Sequence, residues 1–346
     1  MKKFSLLIYT FSHFSVDFAC FWILFGQFSD GLSSSETAIG FLVYNLIAFG
    51  LQMVIGYFCD KNRSFPSGAV GCLLVFTAVI ISAFSGWAAV LVTALGNAFF
   101  HVGGGIDSLV NSGGKLSRSG IFVSAGALGV VFGTLSGSKI YPLPSFAVLL
   151  LTAVCAFLCF FAHKKCGAEG DCGFVGTANE NFGIMLVLGL ALFSVVIRSF
   201  GGTAIPMEWK NTAELGIVSA FAAFLGKFLG GFAADFFGAR RTGVITLLAS
   251  LPLLVFGSGN IFVSSAGIVL FNVTMPITLG ICAEKLPKNP GLAFGLTTAA
   301  LLIGAVPSFF AVVSGKIFLL VPAVILSAAA IFFSAENKKS SKEAAK

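Results

Sequence analysis

Runs of apolar residues, each long enough to cross a membrane and separated by short polar connections, follow one another along the whole chain. Crossing about 30 Å of hydrocarbon at about 1.5 Å per residue takes about 20 residues. Inside lipid every backbone polar group must be bonded within its own segment, so such runs fold as helices. The runs predict twelve, near 4–26, 37–59, 67–84, 86–111, 118–138, 143–162, 182–205, 213–237, 242–258, 261–283, 292–313 and 317–334. Twelve spans consume roughly 240 positions of a chain of 346 residues, which excludes an appended soluble enzyme domain. With 40 Phe the chain is not disordered, and its 41 Gly follow no collagen-like period. Unbroken apolar runs also argue against an outer-membrane barrel, whose strands alternate. Lys2 and Lys3 precede the first run as in a signal peptide, yet that run carries Asp17 and has no small-x-small site before Ser29. It reads as the first membrane helix.

Basic residues fix the expected orientation, because Lys and Arg remain in cytoplasmic loops. One side collects Lys2, Lys3, Lys61, Arg63, Lys115, Arg118, Lys164, Lys165, Arg240, Arg241, Lys285, Lys288, Lys338, Lys339, Lys342 and Lys346; the other has only Lys139, Lys210 and Lys316. Both termini and the middle loop are therefore expected in the cytoplasm, in a multi-pass protein of the cytoplasmic membrane. The same loops account for the net charge of +7 without a nucleic-acid partner. Six of the eight cysteines lie in or at the ends of spans. Cys166 and Cys172 fall in the middle loop, where thiols stay reduced, and with His163 they are expected in a solvated, flexible segment that holds no metal.

The chain also matches itself at an offset of 175 residues. Gly56 and Asp60 fall on Gly231 and Asp235, Gly68 on Gly243, Asn97 on Asn272, Gly120 on Gly295, Ala125 on Ala300 and Gly129 on Gly304. A single offset holding from span 2 to span 5, with an Asp and an Asn among the matches, indicates a duplicated six-helix unit. An even number of spans per copy makes the repeats parallel. The expected organisation is a six-helix bundle over 1–162, a cytoplasmic linker over 163–181 and a second bundle over 182–346.

The loops after spans 2 and 8 carry a resemblance. In the second copy Gly231, Asp235, Gly238, Arg240 and Arg241 follow the spacing of the major facilitator signature; the first keeps Gly56, Asp60, Lys61 and Arg63 but has no second Gly. The chain thus resembles the major facilitator superfamily over its whole length. The resemblance implies an all-helical 6+6 fold, a gating charge network at these loops and a central cavity lined by spans 1, 4, 7 and 10. More narrowly, the run from Gly96 and Asn97 through His101 to Gly105 resembles the fosmidomycin-resistance-like branch. Span 5, with Gly126, Gly129, Gly133 and Gly137, resembles the glycine-rich helix of drug/proton antiporters without the Gly-Pro step of their motif.

Charged groups facing lipid at mid-bilayer cost about 2.5–3.5 kcal/mol each, so Asp17, Arg198 and Lys227 are expected to face a cavity or one another. His13 and Asp17 share a helix face at i, i+4 and suit a proton relay, or a structural pair linking two helices. Asn97, His101, Gly104 and Ser108 form a polar strip on span 4. Asn97, His101 and the repeat-related Asn272 are candidate substrate contacts, although a helix-packing seam accounts equally for the glycines. Asp107, near Lys115 and Arg118, is assigned to the gating network. Arg198, with Ser194 one turn earlier, and Lys227 are the foremost substrate-binding candidates, since a guanidinium matches carboxylate or phosphate oxygens and an ammonium supplies a movable charge. Their alternative role is salt bridging to Asp17. Pro252, Pro276 and Pro307 predict kinked helices in the second half.

No phosphate-binding loop, metal-ligand cluster or nucleophile–base arrangement is legible, so no metal, cofactor, enzymatic activity or ATP-driven step is expected. The combined expectation is a secondary transporter, working as a monomer by alternating access, that moves a small organic anion with a proton. Proton-coupled drug or metabolite efflux, and a membrane sensor or lipid-handling protein on the same scaffold, are the alternatives.

Overall fold

In the computed structural model, which describes residues 2–166 and 170–337, each apolar run is a helix. The twelve are α1 (Phe4–Phe28), α2 (Ser34–Lys61), α3 (Ser67–Ile81), α4 (Gly86–Val110), α5 (Leu116–Gly137), α6 (Ser145–Cys166), α7 (Ile184–Thr203), α8 (Gly216–Phe237), α9 (Ala239–Phe256), α10 (Ile261–Lys285), α11 (Pro290–Phe310) and α12 (Ile317–Ser334). Eleven are long and apolar enough to cross a membrane; α3 is a shorter apolar helix. Polar connections start several of them: Ser33 and Glu36 form a reciprocal capping box on α2, and Asn260 accepts from the first amides of α10, satisfying donors that a helix N-terminus leaves free.

The breaks in these helices are spread more evenly than the prolines predict. Pro276 and Pro307 do begin the second pieces of α10 and α11, but α9 runs unbroken through Pro252 and α12 through Pro322. In the first half α2 breaks at Leu51, and α1 ends in a π-helical turn, Ile23–Phe28, both without proline. Kinks therefore occur in both halves.

Glycines set the closest approaches. A Cβ on Gly129 or Gly133 of α5 would overlap the Phe14 or Phe18 carbonyl of α1. Two crossings, α2 with α11 and α5 with α8, share one construction. A Cβ on Gly56 would overlap the Gly291 carbonyl, and one on Gly231 would lie 2.5 Å from the Leu116 carbonyl. One turn further on, the buried Asp60 carboxylate accepts from the Gly291 and Leu292 amides at 2.9 and 2.8 Å, capping α11. Asp235 accepts from the Leu116 and Ser117 amides at 2.8 and 3.0 Å, capping α5. These partners obey the 175-residue offset too, so the Asp of each repeat caps the equivalent helix, α5 or α11, of the other repeat. An Asn at either position would turn an NH2 toward one of two amide donors. Leaving a buried donor unsatisfied costs about 1–3 kcal/mol. Asp60→Asn and Asp235→Asn are each expected to destabilise the protein by about that much, measured by thermal unfolding of the purified protein.

The middle segment departs from the expected flexible linker. α6 continues to Cys166, and from Cys172 onward the chain is held down: the Cys172 amide donates to the Pro287 carbonyl, Glu284 accepts from the amides of Gly176, Thr177 and Ala178, and Ala178 bridges to Ala335. Cys172 is buried, and burial pushes its thiol up to about 12, which leaves it unreactive. Glu284→Ala would orphan three amide donors at about 1 kcal/mol or more each. In a Cys166→Ala background it is expected to raise maleimide labelling of Cys172 at least about tenfold. The Cys166 side chain, those of Lys2 and Lys3, and Lys338, Lys339, Lys342 and Lys346 lie outside the described residues.

Candidate functional site

Where the helices cross at mid-length they enclose a cavity of about 190 Å³. At roughly 30 Å³ per water it accommodates about half a dozen waters, or a small solute in their place. Its walls come from α1 (His13, Asp17), α4 (His101), α7 (Val195, Arg198) and α10 (Met275, Thr278, Leu279), and also from α2, α5, α8 and α11, which contribute Phe49, Gly126, Lys227 and Thr297 among others. Spans 1, 4, 7 and 10 line it as expected, together with four further helices.

The two ends of the cavity differ in charge. On the α1–α4 side three titratable groups converge. His13 Nε2 lies 2.9 Å from His101 Nε2 and 3.3 Å from Asp17 Oδ2, and His101 Nε2 lies 3.8 Å from Asp17 Oδ1. Asn97 Nδ2 donates to Asp17 Oδ1 at 2.9 Å, and the outer nitrogens of both rings bond to backbone carbonyls, His13 Nδ1 to Phe122 O and His101 Nδ1 to Asn97 O. Gly126 makes room, since a Cβ there would overlap Asp17 Oδ2 and His13 Nε2. The expectation of no metal rested on spacing along the chain; in space these three residues bring one donor atom each within 4.8 Å of one another.

Opposite stand Arg198 and Lys227. Arg198 is 4% exposed; its Nη2 donates to Met275 Sδ at 3.4 Å, and its Nε is buried without a partner. Among the described residues neither cation pairs with a carboxylate. The proposed salt bridges to Asp17 are absent because Asp17 is taken up by the histidines.

Other assignments from sequence land elsewhere. Asn272 Nδ2 donates to the Ile268 carbonyl of its own helix and packs beside Gly226, away from the cavity. Ser194 Oγ bonds Ser327 Oγ at 2.7 Å, tying α7 to α12. Asp107 accepts from Ser5 and Asn111 within the first bundle and does not join the Asp60 or Asp235 caps. Of the signature residues, Arg63 reaches Asp60 at 3.3 Å and the Lys288 carbonyl, Arg240 bonds Ala335 O and Glu336, the Arg241 amide donates to Asn337, and Lys61 sits over the Tyr57 ring. Gly238 turns the chain into α9 at φ +91°, a conformation that favours glycine.

No family model matches the sequence, and no curated relative does. Solved structures do match. A variant of the E. coli fucose:proton symporter FucP superposes with a TM-score of 0.65 at 13% identity, covering 95% of this chain and 97% of that one. FucP in its outward conformation, described as a major facilitator superfamily transporter, gives 0.64 at 14% identity over 96% and 97%. The chain has the major facilitator fold. A bacterial homologue of the iron transporter ferroportin, outward-facing, matches at 0.57 and 14% identity over 95% and 96%. In the major facilitator fold of this chain, Asp17, Arg198 and Lys227 were legible as charges that lipid would not tolerate, His13 by its i, i+4 spacing to Asp17, and His101 by the polar strip on span 4. Gly126, Met275 and the threonines of α10 and α11 carried no such signal.

Proposed function

We propose that the protein is a secondary transporter in which two six-helix halves, 1–162 and 182–346, rock about the central cavity and move a small organic anion together with a proton. The observation that carries this reading is the pair of cations, buried Arg198 and half-buried Lys227, facing the cavity without a carboxylate between them. A buried charge with no partner is costly, and an anion that arrives and leaves supplies the partner transiently. Asp17 and His13 carry the proton on the opposite wall. The fold shared with a fucose:proton symporter supports proton coupling of a small solute. With the basic loops cytoplasmic, the Gly56–Gly291 and Gly231–Leu116 crossings close the cytoplasmic end.

Ligands stabilise the folded state by mass action, so a thermal-shift screen comes first, with lactate, benzoate, succinate, methylphosphonate, a lipophilic cation, fucose and ferrous iron. Uptake of the labelled hit into proteoliposomes, with and without an imposed pH gradient, follows. Anions are expected to stabilise and the gradient to drive their uptake. Stabilisation by the lipophilic cation alone would favour efflux of drug-like compounds, and stabilisation by fucose or iron alone would remove the anion; uptake indifferent to the gradient would remove the proton.

A further inference from the structure

The two histidines on the α1–α4 wall are oriented so that their protonation can be counted. A carbonyl oxygen only accepts hydrogen bonds, so His13 Nδ1, 2.7 Å from Phe122 O, and His101 Nδ1, 2.9 Å from Asn97 O, both carry hydrogen. In a neutral imidazole the remaining nitrogen is then a bare acceptor. Two bare acceptors would face each other across the 2.9 Å between the Nε2 atoms, lone pair against lone pair. Two protonated nitrogens would set two N–H groups head to head. One proton between them gives an N–H···N bond of ordinary length, and the pair then bears a single positive charge.

We propose that His13 and His101 jointly hold one proton between their Nε2 atoms, with Asp17 as counter-ion, and that this shared proton is the one carried in each transport cycle. The coupling role rests on the transporter reading; the shared proton does not. His101 is thereby part of the proton site, alongside Asp17 and His13. The groups around the pair fit this assignment. On α1 are Asp17, held by Asn97 from α4, and Cys20; on α2 is Tyr44, buried beside them; across the cavity stand Lys227 on α8 and Arg198 on α7. Only Asp17 among these is a carboxylate, so one carboxylate balances one shared proton.

A divalent metal is the competing occupant of the same three donors, and two observations weigh against it. Tetrahedral coordination at about 2.0–2.1 Å per nitrogen separates two ligand nitrogens by about 3.3 Å, whereas these stand at 2.9 Å. Two uncompensated cations on the facing wall would also repel a doubly charged ion. A proton needs neither the wider spacing nor a second carboxylate. For a monoanion, one proton per cycle makes symport electroneutral.

The test uses the full chain, labelled with [15N]histidine, in lipid bilayers. The chain has 3 histidines, and the third, His163, bonds the Ser64 carbonyl away from the cavity, which makes it an internal reference. Between about pH 5 and pH 9, the His13 and His101 signals are expected to change together at one midpoint, losing one proton per pair. In His13→Asn or His101→Asn the remaining ring is expected to lose the Nε2–H···Nε2 signal that the pair shows together. Separate midpoints for His13 and His101 in the unaltered protein, or one transition-metal ion per chain whose chelation shifts both Nε2 signals, would overturn the shared proton. For the coupling role, uptake of labelled lactate or benzoate at zero membrane potential is expected to plateau at about tenfold accumulation per pH unit, against about a hundredfold for two protons; the latter overturns the one-proton cycle. If neither acid is taken up, the transporter reading fails for them, and the ring titration still decides the shared proton.

Discussion

Replacing Arg198 by Ala is expected to weaken anion binding about tenfold to a hundredfold, and Arg198→Ala with Lys227→Ala to abolish anion uptake. Hydrogen bonds to a charged partner contribute about 1.5–3 kcal/mol, and about 1.4 kcal/mol corresponds to a factor of ten. Stability is expected to move the other way. Breaking a buried salt bridge costs about 3–5 kcal/mol because a charge is left stranded, but Arg198 has no carboxylate to strand, and its Nε is already unpartnered. Arg198→Met, which keeps an apolar body beside Met275, should leave thermal stability unchanged or raised. Arg198→Lys tests geometry: the ammonium retains the charge but loses the guanidinium fork, so partial loss of affinity is expected. Titration of the screened acids by thermal shift, with apo stability from the same curves, gives both readouts. Marked apo destabilisation with full anion affinity would return Arg198 to a structural role.

The fold was legible because lipid punishes error so heavily. Twelve apolar runs had one solution as backbone, and the match of Gly56 and Asp60 to Gly231 and Asp235 marked the residues that turn out to form the two crossings, without saying which helices they meet. What the sequence carried poorly was rotation about each helix axis. Asn97 and Asn272 occupy equivalent repeat positions, yet Asn97 holds Asp17 while Asn272 folds back on its own helix. Equivalence in sequence therefore did not transfer a role. Ser194 sits one turn from Arg198 but faces α12, because α7 has neighbours on both sides and the chain does not say which a given residue meets. His13 and Asp17 could be paired at i, i+4 from sequence, whereas His101, 88 residues away, could be joined to them only by packing. The middle segment misled for a different reason. Its composition is polar and Gly-containing, but the bonds that pin it come from Glu284 and from the backbone at Pro287 and Ser334, contributions that local composition does not register.

Gly231→Val is expected to prop open the cytoplasmic end of the cavity. A Cβ at Gly231 would meet the α5 backbone at Leu116 and Ser117 at 2.5–2.8 Å, and none of these atoms belongs to a flexible side chain that could give way. A valine there must push α5 and α8 apart, at an overpacking cost of about 1–3 kcal/mol. Separation also withdraws Asp235, one turn on, from the Leu116 and Ser117 amides, and each amide left unpaired away from water adds about 1 kcal/mol or more. A combined penalty of about 3 kcal/mol lowers the ratio of closed to open at this end more than about a hundredfold. Ser117, 7% exposed in the closed arrangement, is the reporter. Ser117→Cys alone should react slowly with a thiol reagent applied to the cytoplasmic side, and in the Gly231→Val background at least about tenfold faster, with transport lost. Gly56→Val should act in the same way at α2 and α11, because the contact with Gly291 is its counterpart under the 175-residue offset. If both valine variants transport normally and the Ser117→Cys thiol is labelled no faster in the Gly231→Val background, the two crossings are not the moving contacts.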